Sequence, residues 1–181
     1  MPTLKRIWYP GAIYHITSRG NRKDKIFQDS SDFTHYLDLL KDTLEYFKND
    51  KYKILSYCLM SNHIHMLIEA DKMPLGQFMC KLNSRYAMYY NKKYNYTGHL
   101  FEGRYFAKLM KSNLQIFEAS KYIHLNPVKA KIVKKPEEYK WSSYSMYIGN
   151  RKERLIYSKL LLSYFRTKKL YKEYVEYTPG V

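Results

Sequence analysis

Two histidines separated by one residue, His63 and His65, are the side chains of this chain whose spacing speaks first of chemistry. In a strand, successive side chains point to opposite faces, so the two imidazoles share one face while Ile64, Met66 and Ile68 share the other. Imidazole is the commonest protein ligand for metals, and two on one strand face can reach a single ion. The same spacing also suits a half-exposed strand whose polar face simply carries two histidines.

A second pair lies downstream. Tyr122 and Asn126 stand four residues apart and fall on one face of a helix. Pro127 follows at once, so Asn126 is expected at a helix break or as the cap of a new turn. One reading of Asn126 is such a boundary. The other makes its amide oxygen a third metal ligand, with Tyr122 as the nucleophile toward a polarised phosphorus. An oxygen donor added to two imidazoles suits Mg2+ or Mn2+ better than a closed zinc site. His124 is expected on another helix face, where it is not a candidate base.

These groups need elements to position them. Ala12 to Ser18 reads as a strand ending in the basic turn Arg19-Gly20-Asn21-Arg22-Lys23, a candidate phosphate contact. Ser30 or Ser31 can cap a helix running to about Lys48 on the spacing of Phe33, Tyr36, Leu37, Leu40, Leu44 and Phe47. Tyr52 to Leu59 reads as a second strand, joined through Met60-Ser61-Asn62 to the histidine strand. Pro74 opens a second helix to about Asn91, Tyr105 to Met110 reads as a fourth strand, and a third helix is expected from about Ser112 to His124. This order predicts an α+β fold, a ferredoxin-like split β-α-β sheet whose two helices cover one face. The third helix, laid over the open face, would bring Tyr122 to the histidines. Residues 1–147 are expected to form one domain, with an irregular stretch anchored by Trp141 near its end, and 148–181 a basic, helical tail.

Composition narrows the partners. The 181 residues carry 32 Lys and Arg against 16 Asp and Glu, a formal charge of +16, which favours a polyanion and above all nucleic acid. No apolar run of about 18 residues and no signal peptide is present, so no membrane role and a cytoplasmic, nucleoid-associated location are expected. The 21 tyrosines interleave with basic residues around Arg85 and Arg104; a few suit base stacking, and most are expected in the core. Cys58 and Cys80 lack any Cys-x-x-Cys partner and read as buried, reduced thiols.

Five separated motifs carry a family likeness. The segment 58–68 around His63-Ile64-His65 resembles the histidine–hydrophobe–histidine motif of HUH nucleases, and in particular that of REP-associated tyrosine transposases. The segments 10–21, Ile26-Phe27-Gln28-Asp29, Gly103-Arg104-Tyr105 and 122–130 are the other four, and Trp141-Ser142-Ser143-Tyr144 continues the likeness, which covers roughly residues 4–147; Phe101 stands where that pattern has tryptophan. The resemblance implies His63, His65 and Asn126 as ligands of Mg2+ or Mn2+, and Tyr122 as a nucleophile that nicks and rejoins single-stranded DNA through a 5′-phosphotyrosine. It further implies a hairpin-containing DNA partner and a monomer or homodimer. Lys5, Arg6, Arg19, Arg22, Lys23, Arg85 and Arg104 are the expected DNA contacts. The alternative is a regulator of the same fold that binds nucleic acid without cutting it.

Overall fold

A computed structural model describes residues 7–152 and 155–177; Lys5 and Arg6 lie outside the described residues. Four strands, β1 (Ala12–Arg19), β2 (Lys53–Met60), β3 (His63–Ala70) and β4 (Phe106–Leu109), form one antiparallel sheet in the order β2-β3-β1-β4. Helices α1 (Ser30–Tyr46) and α2 (Leu75–Tyr94) sit between them in the chain, which gives the expected β-α-β-β-α-β order. Each strand lies within a residue or two of its expected bounds.

Strand alternation divides the sheet into two different faces. Tyr14, Ile16 and Ser18 of β1 are buried on the side of α1 and α2, where Asn83 Nδ2 donates to Ser18 Oγ at 3.0 Å. The core there is aromatic: Phe27, Tyr36 and Tyr86 meet at ring-centroid distances of 5.0–5.7 Å. Asp29, rather than Ser30 or Ser31, caps α1 in a reciprocal capping box with Asp32. A carboxylate accepts from two free N–H groups at once and complements the positive helix end, which a hydroxyl does less well. Asp32 itself is buried and accepts from Lys93, Tyr89 and Tyr94, which fastens the start of α1 to the end of α2.

On the opposite face lies α3 (Asn113–Lys129), capped by Ser112 and packed against β2 and β3. The expected break before Pro127 does not occur. The proline falls in the final turn, where it forfeits the single ladder bond its N–H would have made to Ile123 O, and the helix ends two residues later. Beyond it, Trp141 stacks on Phe33 at 4.7 Å, and Ser142 bridges to the edge of β2 at Cys58.

The tail does not stand free. Residues of α4 (Tyr144–Tyr147), α5 (Lys159–Phe165) and α6 (Lys168–Glu176) gather behind α3, with Leu161, Tyr171 and Val175 fully buried. Cys58 is buried as expected, whereas Cys80 is exposed; it lies one residue past the buried Phe78 and Met79 stripe of α2, on the helix face turned from the core. No helix among the described residues is long and apolar enough to cross a membrane.

Candidate active site

The histidine strand is held at its start. Asn62, in the turn before it, donates from Nδ2 to Lys23 O at 3.0 Å, and its Oδ1 lies 2.6 Å from His63 Nδ1. The carbonyl oxygen can only accept, so Nδ1 of His63 carries the proton and Nε2 keeps its lone pair. Gly20 permits this joint: a Cβ there would lie 2.1 Å from Asp24 O, so only glycine lets the basic turn fold back while its own N–H reaches Asn62 O at 2.9 Å.

His65 is oriented by the neighbouring strand. The register pairs Thr17 with His65 and Arg19 with His63, so these four side chains occupy one face. His65 Nδ1 lies 3.0 Å from His15 Nε2 and 3.2 Å from Thr17 Oγ1. Both members of the histidine pair thus spend Nδ1 on a protein partner, the arrangement that fixes a ligating imidazole for binding through Nε2. Their rings stand edge to face at 4.9 Å. Burial lowers the pKa of His65 to about 3, reinforced by the neighbouring His63 and His15, and lowers that of His15 to about 4, reinforced by Lys108. His63 is also shifted down, by burial and then by Arg19. All three imidazoles are therefore neutral near pH 7, the form that can ligate.

Helix α3 brings Tyr122 to this face. Tyr122 is 40% exposed, and its ring lies 5.4 Å from His65 and 5.8 Å from His15, both edge-on and within the same chain. One and two turns further along the same stripe come Asn126 and Lys129. Asn126 is buried and donates from Nδ2 to Tyr122 O at 2.9 Å, so the helix uses its nitrogen and leaves Oδ1 as the donor for a ligand. Lys129 Nζ stands 4.8 Å from the centre of the Tyr122 ring and places a positive charge beside the phenol. No group of three His, Cys, Asp or Glu converges among the described residues; a third donor here is an amide oxygen.

The opposite face of α3 explains why its register is fixed. His124 is fully buried, with Nε2 2.9 Å from Ser143 Oγ and Nδ1 2.9 Å from Tyr171 Oη, which also lies 2.6 Å from Ser120 Oγ. Lys121 donates to the carbonyls of Tyr174 and Tyr177 at 2.9 and 2.6 Å. His124 is thus a packing residue, as its helix position foretold, and the tail is what it packs on.

The expected DNA contacts separate. Arg19 reaches the histidine face and is paired with Glu102 at 2.8 Å, while Arg22 and Lys23 are exposed on the turn tied to Asn62. Arg104 lines a cleft of about 640 Å³ with Phe101, Tyr105 and Asn21, beyond the end of β1. Arg85 belongs to the helix layer on the far side of the sheet and pairs with Asp42 at 3.4 Å. Tyr86 and Tyr90, from the basic-aromatic stretches, are buried in the core. His15, Thr17, Asn62 and Lys129 escaped the sequence reading. The alternation of His15 and Thr17 with apolar residues on one strand was their only local signal.

Comparison with known proteins agrees with this geometry. No curated protein matches the chain by sequence. A solved structure of a REP-associated tyrosine transposase bound to a REP hairpin superposes with a TM-score of 0.65 and 14% identity, over 87% of this chain and 91% of that one. A putative transposase from Deinococcus radiodurans gives a TM-score of 0.47 at 16% identity, over 67% of this chain and 95% of that one. The tRNA(His) guanylyltransferase of Saccharomyces cerevisiae gives 0.49 at 10% identity, over 98% and 76%. The first of these shows the shared fold. The family described as "Transposase IS200 like" matches residues 9–126, a span that takes in the histidine strand, Tyr122 and Asn126. The chain therefore belongs to the IS200-like transposase family.

Proposed function

We propose that this protein cuts and rejoins single-stranded DNA beside a hairpin, with Tyr122 as the covalent nucleophile. The observation that carries the reading is the edge-on approach of the Tyr122 ring to His65, at 5.4 Å, on a helix that leaves the tyrosine 40% exposed. A core tyrosine would be buried like Tyr86; a nucleophile has to meet a strand from solvent.

In the proposed step the Tyr122 oxygen attacks the scissile phosphorus, the bond to the 3′-oxygen breaks, and a 5′-phosphotyrosine and a free 3′-hydroxyl result. The bond keeps the phosphodiester energy, so another 3′-hydroxyl can reverse the step and join a new strand without ATP. Lys129, beside the phenol, stabilises the developing negative charge, and Arg19, Arg22, Lys23 and Arg104 hold the flanking phosphates, with Lys5 and Arg6 as further contacts. Arg85, on the other side of the sheet, is proposed only as a peripheral contact.

His63 and His65, each tied at Nδ1, with the Oδ1 of Asn126, fit a divalent ion such as Mg2+ or Mn2+. When bound, such an ion would withdraw charge from the scissile phosphate and the departing 3′-oxygen. Asn62, Thr17 and His15 hold the imidazoles in place for it. Tyr122 and the histidines belong to one chain, so we propose that a monomer holds a complete site. Residues 1–147 are proposed as the catalytic unit and 148–181 as the buttress behind α3.

The test is incubation with a hairpin-bearing single strand and Mg2+ or Mn2+, followed by mass-spectrometric mapping of the linked residue. The expected adduct is at Tyr122. An adduct at any other tyrosine, or cutting without an adduct, would overturn the proposal; salt-sensitive binding with no cutting under any divalent ion would favour a regulator that only binds.

A further inference from the structure

Helix α3 packs chiefly on β2 and β3 and meets β1 through the Tyr122–His15 contact, while Phe106 and Lys108 of β4 stay exposed among the described residues. On the β1–β4 half of the histidine face the register pairs Phe106 with Thr17 and Lys108 with His15. Antiparallel partners share a face, so Phe106 and Lys108 stand on the same side as the residues that hold His65. Their alternates on β4, Ala107 and Leu109, pack against the core instead.

Phe106 is 66% exposed there. A phenyl ring held in solvent by the edge strand of a face that carries Lys108, Arg19 and the histidines has no packing role. It has no hydrogen-bonding atom either, so it can recognise only a flat or apolar surface. A protein partner would have to meet that ring amid cations on a chain of charge +16; an unpaired nucleotide offers a π-face to Phe106 and a phosphate to Lys108. The platform is also continuous with the site: Thr17, the cross-strand partner of Phe106, lies 3.2 Å from His65 Nδ1.

We propose that the β1–β4 half of this face seats the nucleotide next to the phosphate that Tyr122 attacks, with Phe106 stacked on its base and Lys108 on its backbone. The inference rests on the DNA-cutting reading for its position but concerns binding. Because phenylalanine reads no base edge, the seat requires a base and is indifferent to which one.

Affinity is therefore measured on the Tyr122→Phe protein, so that binding is read apart from cutting, with strands bearing an abasic site at each nucleotide around the cut. Phe106→Ala is expected to weaken the intact strand about 5- to 100-fold. It should cost nothing further on the strand abasic at one flanking position, whereas changing that base to another leaves affinity within about twofold. Phe106→Trp, which cannot fail through loss of the platform, should bind at least as well as the parent. Lys108→Gln should flatten the salt dependence of log Kd by about 0.7, the contribution of one single-strand phosphate contact, and Phe106→Ala should leave that slope unchanged. Losses that multiply at every abasic position, or a Phe106→Ala protein that binds like its parent, would overturn the inference. If the unsubstituted protein forms no adduct while the non-additivity holds, the cutting reading falls and the nucleotide seat stands.

Discussion

The two sides of α3 put similar residue types to opposite uses. Toward the sheet, Tyr122 is 40% exposed and meets imidazoles that are tied at one nitrogen and open at the other. Toward the tail, Tyr171 and His124 meet in full burial, with every polar atom of the pair spent on Ser120, Ser143 or each other. A tyrosine–histidine contact with capacity left over is a reactive arrangement, and one with none left over is a fastening. The difference lies in which groups retain a free lone pair and access to solvent.

The comparison breaks most sharply at Tyr122. Tyr122→Phe should abolish the covalent adduct and lower cutting by more than about 10³-fold, while the melting temperature and DNA affinity stay near those of the parent. A denaturing gel of labelled DNA reads the first and a thermal melt the second. A large drop in melting temperature would mean that Tyr122 belongs with the fastening residues after all.

His15 sharpens the sheet side. Removing it in His15→Ala frees His65 Nδ1 from its 3.0 Å partner, and Mn2+ affinity should fall about 10- to 100-fold. Titration calorimetry with Mn2+ alone reports this without DNA. Unchanged affinity would make the His15 contact a packing accident.

On the tail side the effect should appear as stability. Tyr171→Phe strips the hydroxyl from His124 Nδ1 and Ser120 and should cost about 1–3 kcal/mol, a fall of several degrees in melting temperature. Mn2+ affinity should change far less than in His15→Ala. If Tyr171→Phe instead removed metal binding at undiminished stability, the two sides of α3 would not be separate devices.

The smallest effect is on pH. Burial holds the pKa of His124 at about 3, whereas the unfolded chain protonates histidine near 6.5. The unfolded state therefore binds protons first as pH falls. Stability is intact above about 6.5 and declines toward 3 by about 1.4 kcal/mol per pH unit for each such histidine. Urea titrations at pH 7 and 5.5 should show a shallower acid loss in His124→Gln than in the parent, and equal slopes would remove His124 from the fastening.

The order of strands and helices, the histidine pair, and the Tyr122–Asn126 stripe were legible in the chain, because strand alternation and helical periodicity are local rules that residue spacing alone carries. Some local detail was not: Asp29 outcompeted two serines as a cap by its charge, and α3 ran through Pro127 because its packing on β2 and α6 outweighs one lost backbone bond. What only the tertiary structure decided were relations between distant segments. His15 and Thr17 meet His65 through strand register, and Asn62 fixes His63 through the close turn at Gly20. Phe106 is exposed on the edge strand while α3 packs chiefly on β2 and β3, and the basic tail settled behind α3. Sequence spacing determines which side chains share a face; which faces meet, and which stay open to a ligand, depends on burial and hydrogen bonds between segments that no local pattern encodes.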